Sequence, residues 1–213
     1  HFAIRRQRQM CIRDRFKQLF ENESCTYTYL ISCPDRKEAV LIDPVIETIE
    51  RDLHILKSLG LKLTYAIDTH IHADHVTSAS ALREITNCKV AGPANDKLKC
   101  RDINFRDKDS LTLGTSLEIK AFHTPGHTDT HFSYVLEHNE RKILFSGDAL
   151  LIDACGRTDF QSGSSKELFN TIKKFFYSMP DDTRVYPAHD YNNKSCSTIF
   201  PVSYTHLTLP TNG

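Results

Sequence analysis

Four apolar, strand-like runs of the sequence each lead directly into histidine or aspartate, and this regularity constrains the fold more than any other feature. The four segments are "YAIDTHIHADH", "IKAFHTPGHT", "ILFSGD" and "RVYPAHD". A polar side chain on a loop at a strand end is held by a rigid sheet and stays accessible to solutes. A fold that aligns these strand ends can therefore bring four distant segments together at one point.

The rest of the sequence alternates between strand and helix patterns. A hairpin is predicted for "YTYLIS" and "EAVLIDPV", and a second hairpin turns near Asn139. Further strands are predicted for "LTYAIDT", "CKVAG", "SLTLG" and "LEIKAFHTPG", and "TRVYPAHD" is predicted as the last strand. Helices are predicted from Ile49 to a C-cap at Gly60, over "SASALREIT", and over "SSKELFNTIKKFFYSM", where Ser164 and Glu167 fit a capping box. Two sets of strands with helices between them indicate a layered α/β sandwich.

The two ends of the chain do not resemble natural protein sequence. "RRQRQMCIRDR" and "PVSYTHLTLPT" can be back-translated into DNA sequences that are reverse complements of each other, as expected of a sequencing-library adapter. We therefore interpret residues 1–15 and 201–213 as translated adapter and exclude them from the domain. The domain is predicted to span residues 16–200, without its native N-terminus and truncated at its C-terminus.

Charge and composition narrow the class of protein. Lys and Arg total 27 and Asp and Glu total 27; five arginines and one aspartate lie in residues 1–15, which leaves 22 against 26 and a net charge of −4. Nucleic acid and anionic membranes are therefore poor partners, and no apolar run approaches the ~18 residues of a spanning helix. The cysteines outside the adapter are scattered without CxxC pairs, which favours a reducing compartment.

The spacing of the histidines in "THIHADH" indicates a metal site. A single histidine is usually a surface or hydrogen-bonded residue, and we interpret His54, His123 and His138 in that way. The joint pattern is different, because imidazoles and carboxylates at strand ends are ligands that suit zinc, iron or manganese. The candidate ligands are His70, His72, Asp74, His75, His127, Asp148 and His189.

The motifs "THIHADH", "TPGHT", "GDALL" and "PAHDY" together resemble those of the metallo-β-lactamase superfamily, in the family's order and over nearly the whole domain. The resemblance implies a four-layer αββα sandwich with the metal site along one edge. Asp43 in "LIDP" also matches a superfamily position near the site, and a role as a strand-end turn residue explains it equally well.

Within the superfamily, "GDALL" and "CGRTDFQ" resemble the persulfide dioxygenases, the ethylmalonic encephalopathy protein group. This resemblance implies one Fe(II) ion on His70, His127 and Asp148, with His72, Asp74, His75 and His189 orienting those ligands. It also implies oxidation of glutathione persulfide by O₂ to sulfite and glutathione, with Arg157 and Tyr191 on the substrate side. For Arg157 an internal salt bridge with Asp159 is the alternative, and for Tyr191 it is ordinary packing.

The alternative reading is a hydroxyacylglutathione hydrolase of the glyoxalase II type. Such a thioester hydrolase would use two zinc-like ions, one on His70, His72 and His127 and one on Asp74, His75 and His189, with Asp148 bridging them. All seven residues are present, so the ligand set alone does not decide the reaction. A cytoplasmic (bacterial) or mitochondrial location fits the dioxygenase reading, and an edge-exposed sandwich of this size is compatible with a homodimer.

Overall fold

The computed structural model describes residues 16–33, 35–115, 117–138, 141–191 and 193–207. The predicted turn at Asn139 and the predicted adapter segment 1–15 lie outside the described residues.

Twelve strands in the described part of the chain form two six-stranded sheets. The first sheet has the order β1-β2-β3-β4-β5-β6, with β1 Phe16–Phe20, β2 Tyr27–Cys33, β3 Glu38–Ile42, β4 Lys62–Ile67, β5 Lys89–Pro93 and β6 Ile103–Phe105. The second has the order β12-β11-β10-β9-β8-β7, with β7 Ser110–Leu113, β8 Leu117–His123, β9 Phe132–His138, β10 Arg141–Gly147, β11 Arg184–Pro187 and β12 Ser197–Thr198. Each sheet is thus built from its own half of the chain.

Four α-helices of the described residues cover the outer faces of the sheets: α1 Ile49–Ser58, α2 Ala79–Thr86, α3 Ser165–Lys174 and α4 Ile199–Leu207. Leu56 of α1 and Leu82 of α2 pack on the first sheet, whereas Ile172 of α3 and Val202 of α4 pack on the second. Between the sheets lies a third apolar cluster that includes Tyr134. The layers are therefore helix, sheet, sheet and helix, which confirms the predicted αββα sandwich.

Local sequence signals explain where several elements begin and end. The Ser164 hydroxyl accepts the Glu167 backbone N–H at 3.3 Å and caps α3 as predicted. Gly60, with φ +61°, ends α1 in the left-handed conformation. Among the described helices, none combines the length and apolar content needed to cross a bilayer.

The C-terminal part differs from the prediction. "TRVYPAHD" is not the last strand, because β12 pairs antiparallel with β11 and α4 follows it. A two-residue strand is too short for any periodicity to reveal it. Helix α4 also extends beyond Phe200, where the sequence places the end of the domain, and Val202 in it is buried. The adapter origin of residues 201–213 stays a prediction.

Candidate metal centre

The four strand ends singled out in the sequence meet at one edge of the sandwich. His70 follows β4 of the first sheet, whereas His127, Asp148 and His189 follow β8, β10 and β11 of the second. The ligand atoms of His70, His127 and Asp148 all lie within 4.8 Å of one another. We call these three residues the trio.

The spacing inside the trio is that of ligands around an ion. His70 Nε2 lies 3.8 Å and His127 Nε2 lies 3.5 Å from Asp148 Oδ2. Both separations exceed ordinary hydrogen-bond lengths of about 2.7–3.2 Å, and they leave room for an ion bound at about 2.0–2.2 Å from each atom. Asp148 and His70 are buried, and the His127 side chain is 11% exposed.

Neighbouring groups set the tautomers of the two trio histidines. His70 Nδ1 lies 2.9 Å from the Thr69 hydroxyl, which itself donates to Asp43 Oδ2 at 3.0 Å. The Thr69 oxygen must therefore accept from His70 Nδ1–H, which leaves His70 Nε2 with a free lone pair. His127 Nδ1 donates in the same way to the Arg157 carbonyl at 2.8 Å. Both Nε2 atoms thus meet the requirement of a metal ligand.

The groups around the trio favour the neutral form of His70 and the cationic form of His189, which contacts Asp148. Burial and the neighbouring histidines lower the pKa of His70 well below its usual value. Burial opposes protonation of His189 as well, but its contacts with the Asp148 and Asp74 carboxylates raise its pKa to about 10. The His189 imidazole, 2.6 Å from Asp148 Oδ1, in turn lowers the pKa of the Asp148 carboxyl despite burial.

Asp43 anchors the loop that carries His70 and His72. Its Oδ1 accepts the Thr69 backbone N–H at 2.7 Å and lies 3.1 Å from His72 Nε2. Burial would lower the pKa of His72, but the Asp43 carboxylate raises it to about 9. The left-handed φ of +49° at Asp43 turns the chain sharply after β3. Both the turn role and the proximity to the site that the sequence suggested for Asp43 are present.

The remaining predicted ligands form a second group around the Thr26 hydroxyl. Asp74 Oδ2 lies 2.8 Å from His75 Nδ1 and 3.0 Å from His189 Nε2. Thr26 Oγ1 lies within 3.4 Å of all three atoms. These are hydrogen-bond distances, in contrast to those of the trio. In the described part of the chain, the buried atoms His72 Nδ1 and His75 Nε2 have no hydrogen-bond partner, so they retain capacity to bind a further ion.

His131 is part of the site although the sequence analysis did not single it out. It is fully buried, and its Nε2 accepts the Asp148 backbone N–H at 3.1 Å. Burial and the nearby His127 lower the pKa of His131 to about 3, so it is neutral. Its position four residues after His127 in "HTDTH" was the only available signal.

The loop after β10 closes one side of the site. Gly156 is packed so tightly that a Cβ there would lie 2.0 Å from the Asp148 carbonyl oxygen and 2.8 Å from His127 Nδ1. The Arg157 guanidinium makes a two-point ion pair with Asp159, with N–O distances of 2.8 and 2.9 Å. The salt bridge left open by the sequence is therefore present, and Arg157 reaches the trio through its carbonyl.

Tyr191 lies at the mouth of the site. It is 66% exposed, and its ring stacks on His189 with 5.6 Å between ring centroids and 4° between planes. Partial desolvation of its hydroxyl and the nearby carboxylates raise the pKa of that hydroxyl to about 12, so it is neutral. A pocket beside it is lined by Leu151, Ile152, Ala154, His189, Asp190, Tyr191 and Lys194.

The histidines assigned no site role differ from the site histidines. His54 is exposed, and His123 Nε2 contacts the Asp129 carbonyl at 2.9 Å. The side chain of His138 lies outside the described part. The seven predicted ligand residues, by contrast, form one connected cluster through the trio, the contact between the tilted His70 and His72 rings, and the group around Thr26.

The chain is similar to known proteins over most of its length. Residues 25–189 match the family model of the metallo-beta-lactamase superfamily. The mouse (Mus musculus) mitochondrial persulfide dioxygenase ETHE1 is 43% identical over 185 residues, which cover 86% of this chain and 71% of that protein. A hydroxyacylglutathione hydrolase from Polaromonas is 33% identical over 167 residues, which cover 78% and 62%. The crystal structure of ETHE1 from Myxococcus xanthus superposes with a TM-score of 0.81 and 40% identity, covering 92% of each chain.

Proposed function

Because this chain belongs to the persulfide dioxygenase family of the metallo-β-lactamase superfamily, we propose that it oxidises glutathione persulfide with O₂ at one non-haem Fe(II) ion. One persulfide, one O₂ and one water yield glutathione, sulfite and two protons. The terminal persulfide sulfur is oxidised and O₂ is reduced, so no further oxidant is needed.

The observation that carries this proposal is the trio of His70, His127 and Asp148, with ligand atoms within 4.8 Å of one another. Two imidazoles and one carboxylate are the donor set of non-haem Fe(II) oxygenases. A bound Fe(II) would supply open coordination positions for both reactants and a redox change that zinc lacks. Thr69 and the Arg157 carbonyl support this use of the trio, because each holds the proton of one histidine on Nδ1.

Arg157 and Tyr191 are proposed to hold the glutathione moiety. The Arg157–Asp159 pair is exposed on both sides, at 66% and 70% of the side chains. Exposed ion pairs contribute little to stability, so a substrate carboxylate can replace Asp159 with little loss. Planar guanidinium groups suit such carboxylates. The exposed Tyr191 ring offers a neutral hydroxyl and an apolar face beside the trio.

A two-metal hydrolase remains the second candidate, and one observation favours it. His72, Asp74 and His75 form another group with ligand atoms within 4.8 Å, and the unpartnered nitrogens of His72 and His75 belong to it. Against this reading, Asp74 is engaged in hydrogen bonds of 2.8 and 3.0 Å within its own group. Zinc in a ratio near two and O₂-independent cleavage of a glutathione thioester would identify the hydrolase.

The first test is O₂ uptake by the Fe(II)-loaded chain supplied with glutathione persulfide. We expect O₂ consumption with one sulfite formed per O₂, loss of both in His127→Ala, and retention of both in His123→Ala. His123 is a matched control because it ends β8, four residues before His127, and its ring contacts the Asp129 carbonyl and the Phe132 ring. Iron-replete, folded protein that consumes no O₂ would refute the proposal, and the hydrolase assay with zinc would follow.

We propose a reducing compartment for this chain. The mouse relative is named as a mitochondrial protein. For this chain, a bacterial cytoplasm and a mitochondrion both fit the six free cysteines of the described residues, because both compartments keep thiols reduced. A homodimer stays a prediction that sedimentation of the purified chain would test.

A further inference from the structure

A buried series of hydrogen bonds runs from the backbone of Asp148 into the second sheet. The Asp148 N–H donates to His131 Nε2 at 3.1 Å, and His131 Nδ1 lies 2.8 Å from Thr124 Oγ1. Thr124 Oγ1 lies 2.9 Å from Ser133 Oγ, which donates to the Ser146 carbonyl at 3.2 Å. His131, Thr124, Ser133 and Ser146 are all 0% exposed.

Only one arrangement of protons satisfies every member of this series. A backbone N–H can only donate, so His131 Nε2 must be the unprotonated nitrogen and Nδ1 must carry the proton. The hydroxyl proton of Ser133 is used on the Ser146 carbonyl, so the Ser133 oxygen accepts from Thr124. The Thr124 oxygen is then free to accept from His131 Nδ1–H. The two hydroxyls thus impose the tautomer of a histidine that faces a predicted metal ligand.

We infer that His131 is a positioning residue for Asp148, and that Thr124 and Ser133 act by holding His131 in the Nδ1–H tautomer. The inference rests on the proposed metal site at the trio. The hydrogen bond fixes the peptide unit from which the Asp148 side chain extends, and therefore where its carboxylate meets His70 and His127. If the His131 proton were on Nε2, it would face the Asp148 backbone N–H, and the hydrogen bond that holds the Asp148 peptide unit would be lost.

The turn at Gly147 is shaped for this contact. Gly147 has a left-handed φ of +56°, and a Cβ there would lie 2.4 Å from His131 Nε2. The absence of a side chain allows the imidazole to approach the backbone at the start of the Asp148 turn. The same close packing excludes water from the hydrogen bond, since His131 has no exposed surface.

A purely structural role for this series would have a different signature. Loss of a buried hydrogen bond would then lower the stability of the metal-free protein and leave the metal affinity of the folded protein unchanged. A positioning role predicts that the metal dissociation constant changes, since partners that orient ligands typically contribute ~10–100-fold in affinity or activity.

The experiment measures the dissociation constants of Zn(II) and Fe(II) for the whole chain by competition with a chromophoric chelator, next to the melting temperature without metal. The variants are Thr124→Val, His131→Leu and His131→Gln, whose amide oxygen can replace Nε2 as the acceptor. Thr183→Val is the matched control, because Thr183 is equally buried and its hydroxyl has no partner in the described part of the chain.

We expect Thr124→Val and His131→Leu to weaken metal binding ~10–100-fold, His131→Gln to recover most of that loss, and Thr183→Val to bind as the parent does. ¹⁵N NMR of the zinc-loaded parent should show the His131 proton on Nδ1. A proton on Nε2, or unchanged dissociation constants in Thr124→Val and His131→Leu, would overturn the inference. If a variant does not fold, the NMR result decides. Failure of persulfide oxidation with normal metal binding would refute the proposed function alone.

Discussion

Replacing Gly156 by alanine should damage the metal site from outside its ligand set. A Cβ at this position would lie 2.0 Å from the Asp148 carbonyl oxygen and 2.8 Å from His127 Nδ1. Contacts this short force the loop outward. The loop also carries the Arg157 carbonyl, which accepts the His127 Nδ1–H at 2.8 Å, so one methyl group disturbs two trio residues together.

The size of the effect follows from these contacts. Adding a methyl group to a closely packed region typically costs about 1–3 kcal/mol. At roughly 2–4 °C per kcal/mol for a domain of this size, the melting temperature of the metal-free protein should fall by several degrees. Since His127 would lose the acceptor that sets its tautomer, metal affinity should fall by ~10–100-fold.

The assay combines a thermal melt of the metal-free protein with chelator competition for Zn(II) and Fe(II). Gly60→Ala is the control, because Gly60 has a left-handed φ of +61° but a Cβ there meets nothing within 4 Å. It should lower the melting temperature through backbone strain of about 1–2 kcal/mol and leave the metal affinity unchanged. Unaltered metal affinity in Gly156→Ala, with His127 still bonded to the Arg157 carbonyl, would refute the reasoning.

Two further predictions concern buried carboxylates. Asparagine also tolerates the left-handed backbone of residue 43, so Asp43→Asn should keep the turn and remove the charge that raises the pKa of His72. NMR titration should then show the pKa of His72 below about 9, and the metal affinity should fall ~10–100-fold. No change in either quantity would contradict the role of Asp43. At Asp52, burial raises the pKa of the carboxyl above its ordinary 3.8 despite the nearby Arg51. The folded state therefore holds this proton more tightly than the unfolded chain does. The free energy of unfolding should fall as pH rises from 3.8 through the raised pKa. Asp52→Asn should therefore raise the melting temperature at pH 7 and have little effect below pH 3.8, and a lower melting temperature at pH 7 would show that the charged form is stabilised by contacts such as Arg51.

The parts of the site that the sequence predicts are those that depend on strand ends. An apolar run followed by histidine or aspartate places that residue at the edge of a sheet, and this is where His70, His127, Asp148 and His189 are found. The αββα layers follow from the same alternation of strands and helices. In both cases the signal is local along the chain.

The supporting residues could not be predicted because their partners are distant in sequence. Thr26 reaches His189 only because the segment before β2 forms an isolated bridge with it, 163 residues away. Thr69 depends on Asp43, 26 residues earlier. Threonine and serine carry no periodic signal, so their roles appear only when the registers of the strands are known. Strand β12 has only two residues, Ser197–Thr198, which is too short for a periodic pattern to predict it.

The trio draws His70 from the first sheet and His127 and Asp148 from the second. Its three ligands can therefore stand together only after both halves of the chain have folded and docked face to face. An ion bound there would act as a cross-link between the two halves and would have no counterpart in an unfolded or half-folded chain. Metal loading should accordingly slow the rate at which the sheets separate more than the rate at which either sheet forms, and the metal would contribute to the lifetime of the folded molecule as well as to its chemistry.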